Sequence, residues 1–109
     1  MTTTAKRLVY GAVMTGSAAV YYTAGATTKA VIKSATITNT TAGAVPATVH
    51  IVPVAGTAGA ATAAISLRSV AANETYNCPE LVNQVIEAGG MVQALGSGLT
   101  LMMSGVEIV

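Results

Sequence analysis

The chain has 109 residues and a net charge of +1; only 8% of its residues are charged, while 52% are hydrophobic. Ordinary soluble domains carry about 25% charged residues, so we expect other chains to cover much of this surface. The five cations are scattered and form no basic patch, which excludes an electrostatic footprint for nucleic acid. The composition therefore favours assembly over catalysis.

Turn signals recur at close, regular spacing, which is typical of an all-β chain. Residues 1–7 are predicted to form a flexible N-terminal arm, and residues 8–109 a single β-sandwich domain. Strands are predicted at residues 8–14, 18–23, 29–39, 47–54, 65–70, 76–78, 91–95, 99–104 and 106–108. Residues 81–87 are either a strand or one helical turn, and residues 55–64 are a small-residue loop or an Ala-rich turn.

These elements predict a two-sheet antiparallel β-sandwich with about eight short strands and little helix. Both a jelly-roll and an immunoglobulin-like topology fit the spacing. Two positions refine the prediction. Lys33 interrupts the apolar face of its strand and predicts a β-bulge or an edge position. Pro53 has no N–H for a ladder, so it is expected at a strand end or on an edge.

Two long uncharged stretches, residues 8–28 and 88–106, raise the question of a membrane span. Gly, Ser and Thr interrupt both, so neither fits a run of about 20 predominantly apolar residues, and no membrane partner is expected. The first 19 residues also imitate a signal peptide, with two basic residues before an apolar run. The same strand-like alternation continues past the imitated cleavage site, which leaves a secreted protein as a rival class.

No grouping of side chains suggests catalysis. His50 is the single histidine, the chain contains no Asp to orient it, and its neighbours place it on the outward face of a strand. The four Glu residues lie in separate segments. The single Cys78 excludes an intrachain disulfide and is interpreted as a small apolar core residue beside Pro79. We therefore expect no enzyme, no cofactor and no metal site.

Four residues are candidate partner contacts. Lys6 and Arg7 lie in the predicted arm, where they would pair with acidic groups of a neighbour. Tyr21 and Tyr22 are adjacent on a strand, so one faces inward and the other outward, and an outward tyrosine is a common interface anchor. Tyr22 is taken as this candidate, and His50 is the fourth.

Several stretches of the sequence resemble a family of small bacteriophage virion proteins. That family runs loosely as a YT-x-G-x-T-x-x-IIKS strand, an NT turn, a VHLVP-x-GGTAG strand and loop, and an SGVEI-like end. The corresponding stretches here are residues 20–34, 36–41, 49–59 and 104–108. The resemblance covers roughly residues 20–109, and residues 76–87 depart from it by carrying Cys78-Pro79 and more bulk.

The resemblance implies a non-enzymatic β-sandwich component of a phage virion, assembled in the cytoplasm of the bacterial host. The leading expectation is a multi-copy decoration, or cement, protein that stabilises the capsid head. The alternative is a collar, tail or tail-fibre component, including a host-recognition module. The expected partners are other virion proteins, either major capsid or connector and tail subunits, together with copies of this chain, with a trimer favoured.

Overall fold

The computed structural model describes residues 2–109, which form nine β-strands and one short 3₁₀ turn. The strands are β1 (Thr3–Val13), β2 (Ala19–Thr23), β3 (Lys29–Asn39), β4 (Val45–Val52), β5 (Ala63–Val70), β6 (Thr75–Asn77), β7 (Val85–Ile86), β8 (Met91–Leu95) and β9 (Leu99–Ile108). The 3₁₀ turn, Ala60–Thr62, lies in the predicted small-residue loop. The predicted all-β class is confirmed.

The strands form two antiparallel sheets. Sheet A has the order β1-β9-β3-β6, with β7 also paired to β3, and sheet B has the order β2-β8-β4-β5. The antiparallel pairs β1–β9, β2–β8, β3–β6 and β4–β5 nest inside one another along the chain. A long ribbon of this kind, rolled so that its pairs alternate between two sheets, is a jelly roll. The topology thus decides between the two sandwich types that the spacing allowed.

The core lies between the sheets and consists mainly of Val, Ile, Leu, Ala and Met side chains. Inward positions on β3 and β9 alternate with outward ones, as a period of two requires. Fully buried members with large side chains are Met14, Ile32, Ile37, Val49, Val70, Leu81, Ile86, Val92, Leu99, Leu101 and Met103. Asn39 is also fully buried, and its amide donates to the carbonyls of Gly43 and Val70 at 2.9 and 2.8 Å.

The structure differs from the predicted flexible arm. Within the arm, Met1 lies outside the described residues, whereas Thr3–Arg7 belong to β1 and pair with Ser104–Ile108 of β9. Thr2 and Val109 extend the same pairing by exchanging two backbone hydrogen bonds of 2.9 Å. The polar composition suggested a free arm, but the residues alternate in register with the last strand and Lys6 meets a carboxylate there.

Bulges account for the positions where the alternation breaks. The register between β3 and β9 shifts between Ile32 and Ser34, so Lys33 is the extra residue and the predicted bulge is confirmed. The bulge lets Ile32 and Ala35 both face the core. β1 contains two further bulges, one at Leu8 and one at Gly11, where φ is +115°. Pro53 directly follows β4, at the predicted strand end.

One glycine lets two central strands of sheet A approach closely. Gly105 faces Ile32 across the sheet, and a Cβ atom added there would lie 2.1 Å from the Val31 carbonyl oxygen. The sequence pattern split the last strand at this residue, but β9 runs unbroken from Leu99 to Ile108. Gly105 therefore marks a close backbone approach inside a strand and not a turn.

Candidate interaction surface

A cluster of three polar side chains ties the two sheets together. The Tyr22 hydroxyl of sheet B donates to Glu107 Oε2 of sheet A at 2.5 Å, and Lys6 Nζ donates to the same oxygen at 3.3 Å. The Tyr22 side chain is only 8% exposed and packs in the core. The Lys6 ammonium thus pairs with a carboxylate of its own chain. Tyr22 is the inward member of the tyrosine pair.

This arrangement shifts the proton affinities of both acidic groups. Burial, followed by the hydrogen bond and the negative charge of Glu107, raises the pKa of the Tyr22 hydroxyl above its ordinary value of 10.0. The hydrogen bond from Tyr22, helped by Lys6, lowers the pKa of the Glu107 carboxyl below its ordinary value of 4.5. Both shifts hold the cluster as a neutral phenol beside a carboxylate.

A second cluster joins the sheets at the opposite edge. The Tyr76 hydroxyl of β6 donates to the Glu80 carboxylate at 2.6 Å, and the Arg68 guanidinium of β5 lies 4.3 Å from the centre of the Tyr76 ring. The Glu80 hydrogen bond raises the pKa of Tyr76 to about 12. The same hydrogen bond lowers the pKa of Glu80. Arg68 adds a cation–π contact across the sheet boundary.

The remaining charged side chains also have partners within the chain. Lys29 and Glu87 form an ion pair of 3.5 Å. Lys33 Nζ donates to Asn83 at 3.4 Å, and Glu74 accepts a backbone hydrogen bond of 2.7 Å.

The Arg7 guanidinium lies 5.8 Å from the centre of the Tyr10 ring. All five cations and four carboxylates of the sequence are accordingly engaged with their own chain.

His50 lies on the outer face of sheet B, as predicted. It pairs with Gln93 of β8, and its Nδ1 is 3.0 Å from Oγ1 of Thr62. Thr62 also contacts the backbone of Gly59, so His50 fixes the short 3₁₀ turn against β4. This half-buried histidine has a structural contact and no acid beside it in the described residues.

The outer face of sheet A carries two neighbouring rows without charged side chains. Tyr10, Met102, Thr36 and Asn77 form one row across β1, β9, β3 and β6. The next row along the strands consists of Val13, Thr100, Thr38 and Thr75. Tyr10 is 74% exposed, and tyrosine is enriched at protein interfaces because it combines an apolar ring with a polar hydroxyl.

A shallow apolar groove of about 310 Å³ opens at the β3–β6 side of this face, where Thr36 and Asn77 of the Tyr10 row belong to its lining. Its lining residues are Ser34, Ala35, Thr36, Asn77, Cys78, Pro79 and Val82. Cys78 belongs to the core, where burial raises the pKa of its thiol to about 12. Cys78 is 1% exposed, so it fills the apolar space that the sequence predicted for it.

A second exposed apolar residue is held in an unusual backbone conformation. Leu67 lies in a bulge of β5 with φ +51°, and its side chain is 69% exposed. The buried Thr48 hydroxyl accepts its backbone N–H at 3.1 Å. A leucine with positive φ costs about 1–2 kcal/mol, so the fold presents this side chain to solvent at a cost in stability.

Residues 2–109 contain no group of three or more His, Cys, Asp or Glu side chains that could hold a metal ion. In the same range, no helix is long and apolar enough to cross a membrane.

The four candidate contacts do not converge on one site. Lys6 and Tyr22 meet at Glu107 between the sheets, Arg7 lies on the outer face of sheet A, and His50 lies on the outer face of sheet B.

Sequence reasoning missed Tyr10 and Leu67. The sequence feature that could have identified Tyr10 is its position directly before Gly11, a glycine that forms a bulge.

Comparisons with known proteins give a likeness of shape alone. No protein-family model matches the chain, and no curated protein matches it. The chain is similar to solved structures of infectious bursal disease virus: its Gx strain (14% identity, TM-score 0.47) and its VP2 subviral particle (14% identity, TM-score 0.39). The matches cover 97% of this chain but only 30% and 31% of those chains. At these scores, no functional argument rests on them.

Proposed function

We propose that the chain is a non-enzymatic structural component of a bacteriophage virion, present in many copies as a decoration protein on the capsid head. The resemblance of residues 20–109 to small phage virion proteins supports the phage assignment. Jelly rolls also occur in viral capsid and lectin domains, and because one fold serves many functions, the topology supports a capsid role only by analogy.

One observation carries the structural role. All nine charged side chains contact groups of their own chain, while large apolar side chains such as Tyr10, Leu67 and Met102 remain exposed. A free monomer would gain solubility from the opposite arrangement. Copies of this chain and the major capsid subunits are the proposed occupants of the apolar surface, with no nucleic acid or membrane involved.

The proposed mechanism is mechanical. A jelly roll bound across the boundary between two capsid subunits would have to be pulled away before they could separate. The polar clusters at Glu107 and Tyr76 link the two sheets, so a force on one sheet is transmitted to the other. The sequence favours a trimer, and the face-to-face pair inferred below is the competing arrangement of copies.

The test uses particles of the parent phage assembled with and without this chain. Purified chain added back to deficient heads is expected to bind saturably and to raise the temperature at which they release DNA. Absence of binding to heads would overturn the decoration role.

Location separates the leading proposal from the alternative. Quantitative mass spectrometry and labelling of intact particles should find copies distributed over the whole shell. A few copies confined to one vertex, or to the tail, would instead establish a collar, tail or tail-fibre component, and a loss of adsorption to cells would point to host recognition.

A further inference from the structure

We infer that two copies of this chain pair through the outer faces of their A sheets. Tyr10 of each copy is seated in the apolar groove of the other, whose lining includes Cys78. The inference deepens the proposed function and rests on it, since it names one contact between copies in the assembly. Its evidence is the placement of an exposed aromatic side chain and an apolar groove on one face.

The aromatic side chain and the groove lie in the same cross-strand row. Tyr10 is on β1 at one edge of sheet A, and the groove begins at Thr36 and Asn77 near the other edge. They are therefore three strand spacings apart, about 14 Å. A two-fold axis along the strands, between β9 and β3, places β1 of one copy over β6 of the other.

This symmetry also matches the shapes of the two faces. A two-fold axis along the strands makes the two facing sheets twist and curve in parallel. The distance between the sheets therefore stays nearly constant, and they remain in contact along their length. Met102 of one copy then faces Thr36 of the other. Because the aromatic side chain and the groove share a face, the contact is reciprocal and closes at two copies.

The area and the charge of the face fit such a pair. The 11 residues of β3 span about 36 Å and four strands span about 19 Å, which gives roughly 700 Å². Stable interfaces bury about 800 Å² per partner. The two rows through Tyr10 and Val13 carry no charged side chain. The cations beside them, Arg7 and Lys33, already contact Tyr10 and Asn83 of their own chain, so pairing buries no ion without a partner.

Two side chains lie next to the Tyr10 ring before pairing. Arg7 lies over the ring at 5.8 Å, and Met102 is the cross-strand neighbour of Tyr10. Restriction of an aromatic side chain in the free protein reduces the entropy lost on binding. The groove offers apolar walls from Pro79 and Val82, which is 43% exposed and lies at the rim.

The test is sedimentation equilibrium of the full chain over a range of concentrations. The wild-type protein is expected as a dimer of twice 10.8 kDa. Tyr10→Ala is expected to raise the dissociation constant ~30-fold or more, as for an anchor residue, and Tyr10→Phe to leave it nearly unchanged. Val82→Glu tests the groove independently by placing a charge on its apolar wall.

The matched control is Val20→Ala, which removes an exposed apolar side chain from sheet B and should leave the dimer intact. Far-UV circular dichroism establishes that each variant is folded. A photo-crosslinking amino acid at position 10 should join residues 77–82 of the second copy. A monomeric or trimeric wild type, a dimer unaffected by Tyr10→Ala and Val82→Glu, or crosslinks elsewhere would overturn the pairing.

These outcomes are distinct from failure of the proposed function. A chain that binds phage heads but stays monomeric would overturn the face-to-face pair and leave the decoration role standing. A chain that dimerises through Tyr10 but binds no particle would do the reverse.

Discussion

Adjacent tyrosines on β2 have different structural roles. Tyr22 lies against the core with its hydroxyl on Glu107, whereas Tyr21 is the more exposed of the two. The register between β2 and β8 shifts between Val20 and Tyr22, so strict alternation could not assign the two rings. Sequence alone established that one ring faces inward, but choosing which one required the bulge.

The first prediction concerns the Tyr22 hydroxyl. Tyr22→Phe keeps the ring in the core and removes the hydrogen bond to Glu107, so the free energy of unfolding should fall by about 1.5 kcal/mol, because the acceptor is charged. Tyr21→Phe is the matched control and should change it by less than about 0.5 kcal/mol. Urea denaturation measures both; equal effects would contradict the assigned roles.

The second prediction concerns the backbone at Leu67. Leu67→Gly removes the cost of positive φ, about 1–2 kcal/mol, and adds a glycine entropy cost of about 0.5–1 kcal/mol. The free energy of unfolding should therefore rise by about 0.5–1 kcal/mol. Ser69→Gly, in the same strand without positive φ, should lower it by about 0.5–1 kcal/mol. A loss of stability in Leu67→Gly would show that the side chain packs against the fold. Sequence could not have revealed this residue, because it reads as an ordinary apolar strand position.

At the scale of elements, two backbone features of sheet A lie opposite each other. The bulge at Lys33 follows Ile32, which faces Gly105 of β9. The broken apolar pattern around Lys33 predicted this bulge. The pattern did not predict that Gly105 belongs to a continuous strand, because glycine signals a turn as often as a close approach and only the neighbouring backbone distinguishes the two.

The third prediction tests that close approach. In Gly105→Ala the added Cβ would meet the Val31 carbonyl oxygen at 2.1 Å, so β9 and β3 must separate and the free energy of unfolding should fall by about 3 kcal/mol or more. Gly43→Ala is the control, because nothing lies within 4 Å of its added Cβ and its φ is not positive. A folded Gly105→Ala variant of unchanged thermal stability would contradict the register of these strands.

Across the whole molecule, the sandwich class and most strand positions were predictable, because period-two alternation and turn residues are local signals. Residues 29–39 and 91–95 were predicted with the bounds that β3 and β8 have in the structure. The N-terminal pairing was not predictable, because β1 pairs with residues about 100 positions away along the sequence. The candidate surface was not predictable for the same reason, because Tyr10 and the groove share a face only through the β1-β9-β3-β6 order.

The fourth prediction is the pH dependence of unfolding. The pKa of Glu107 is lowered by folding, so its contribution is complete above pH 4.5 and is lost as the pH falls further. The pKa of Tyr22 is raised, so its contribution is complete below pH 10.0 and is lost as the pH rises above that value, where the unfolded chain ionises first. Calorimetry should show the unfolding temperature decreasing in both ranges.

A single variant separates the two tyrosine clusters in this profile. Tyr22→Phe should weaken the alkaline decrease and leave the part that comes from Tyr76, whose pKa is about 12. Tyr21→Phe should leave the alkaline limb as it is in the wild type. If Tyr22→Phe and wild type had parallel alkaline limbs, the Tyr22–Glu107 contact would not exist in solution.

The two bulges of β1 have a consequence for how the protein survives in a crowded cell. β1 is an 11-residue edge strand whose outer backbone groups pair with nothing in sheet A. A straight edge of this length would accept strands from other copies without limit and seed fibrils. The bulges at Leu8 and Gly11 interrupt the row of donors and acceptors. The bulged edge of β1 therefore resists open-ended strand addition between copies of this chain.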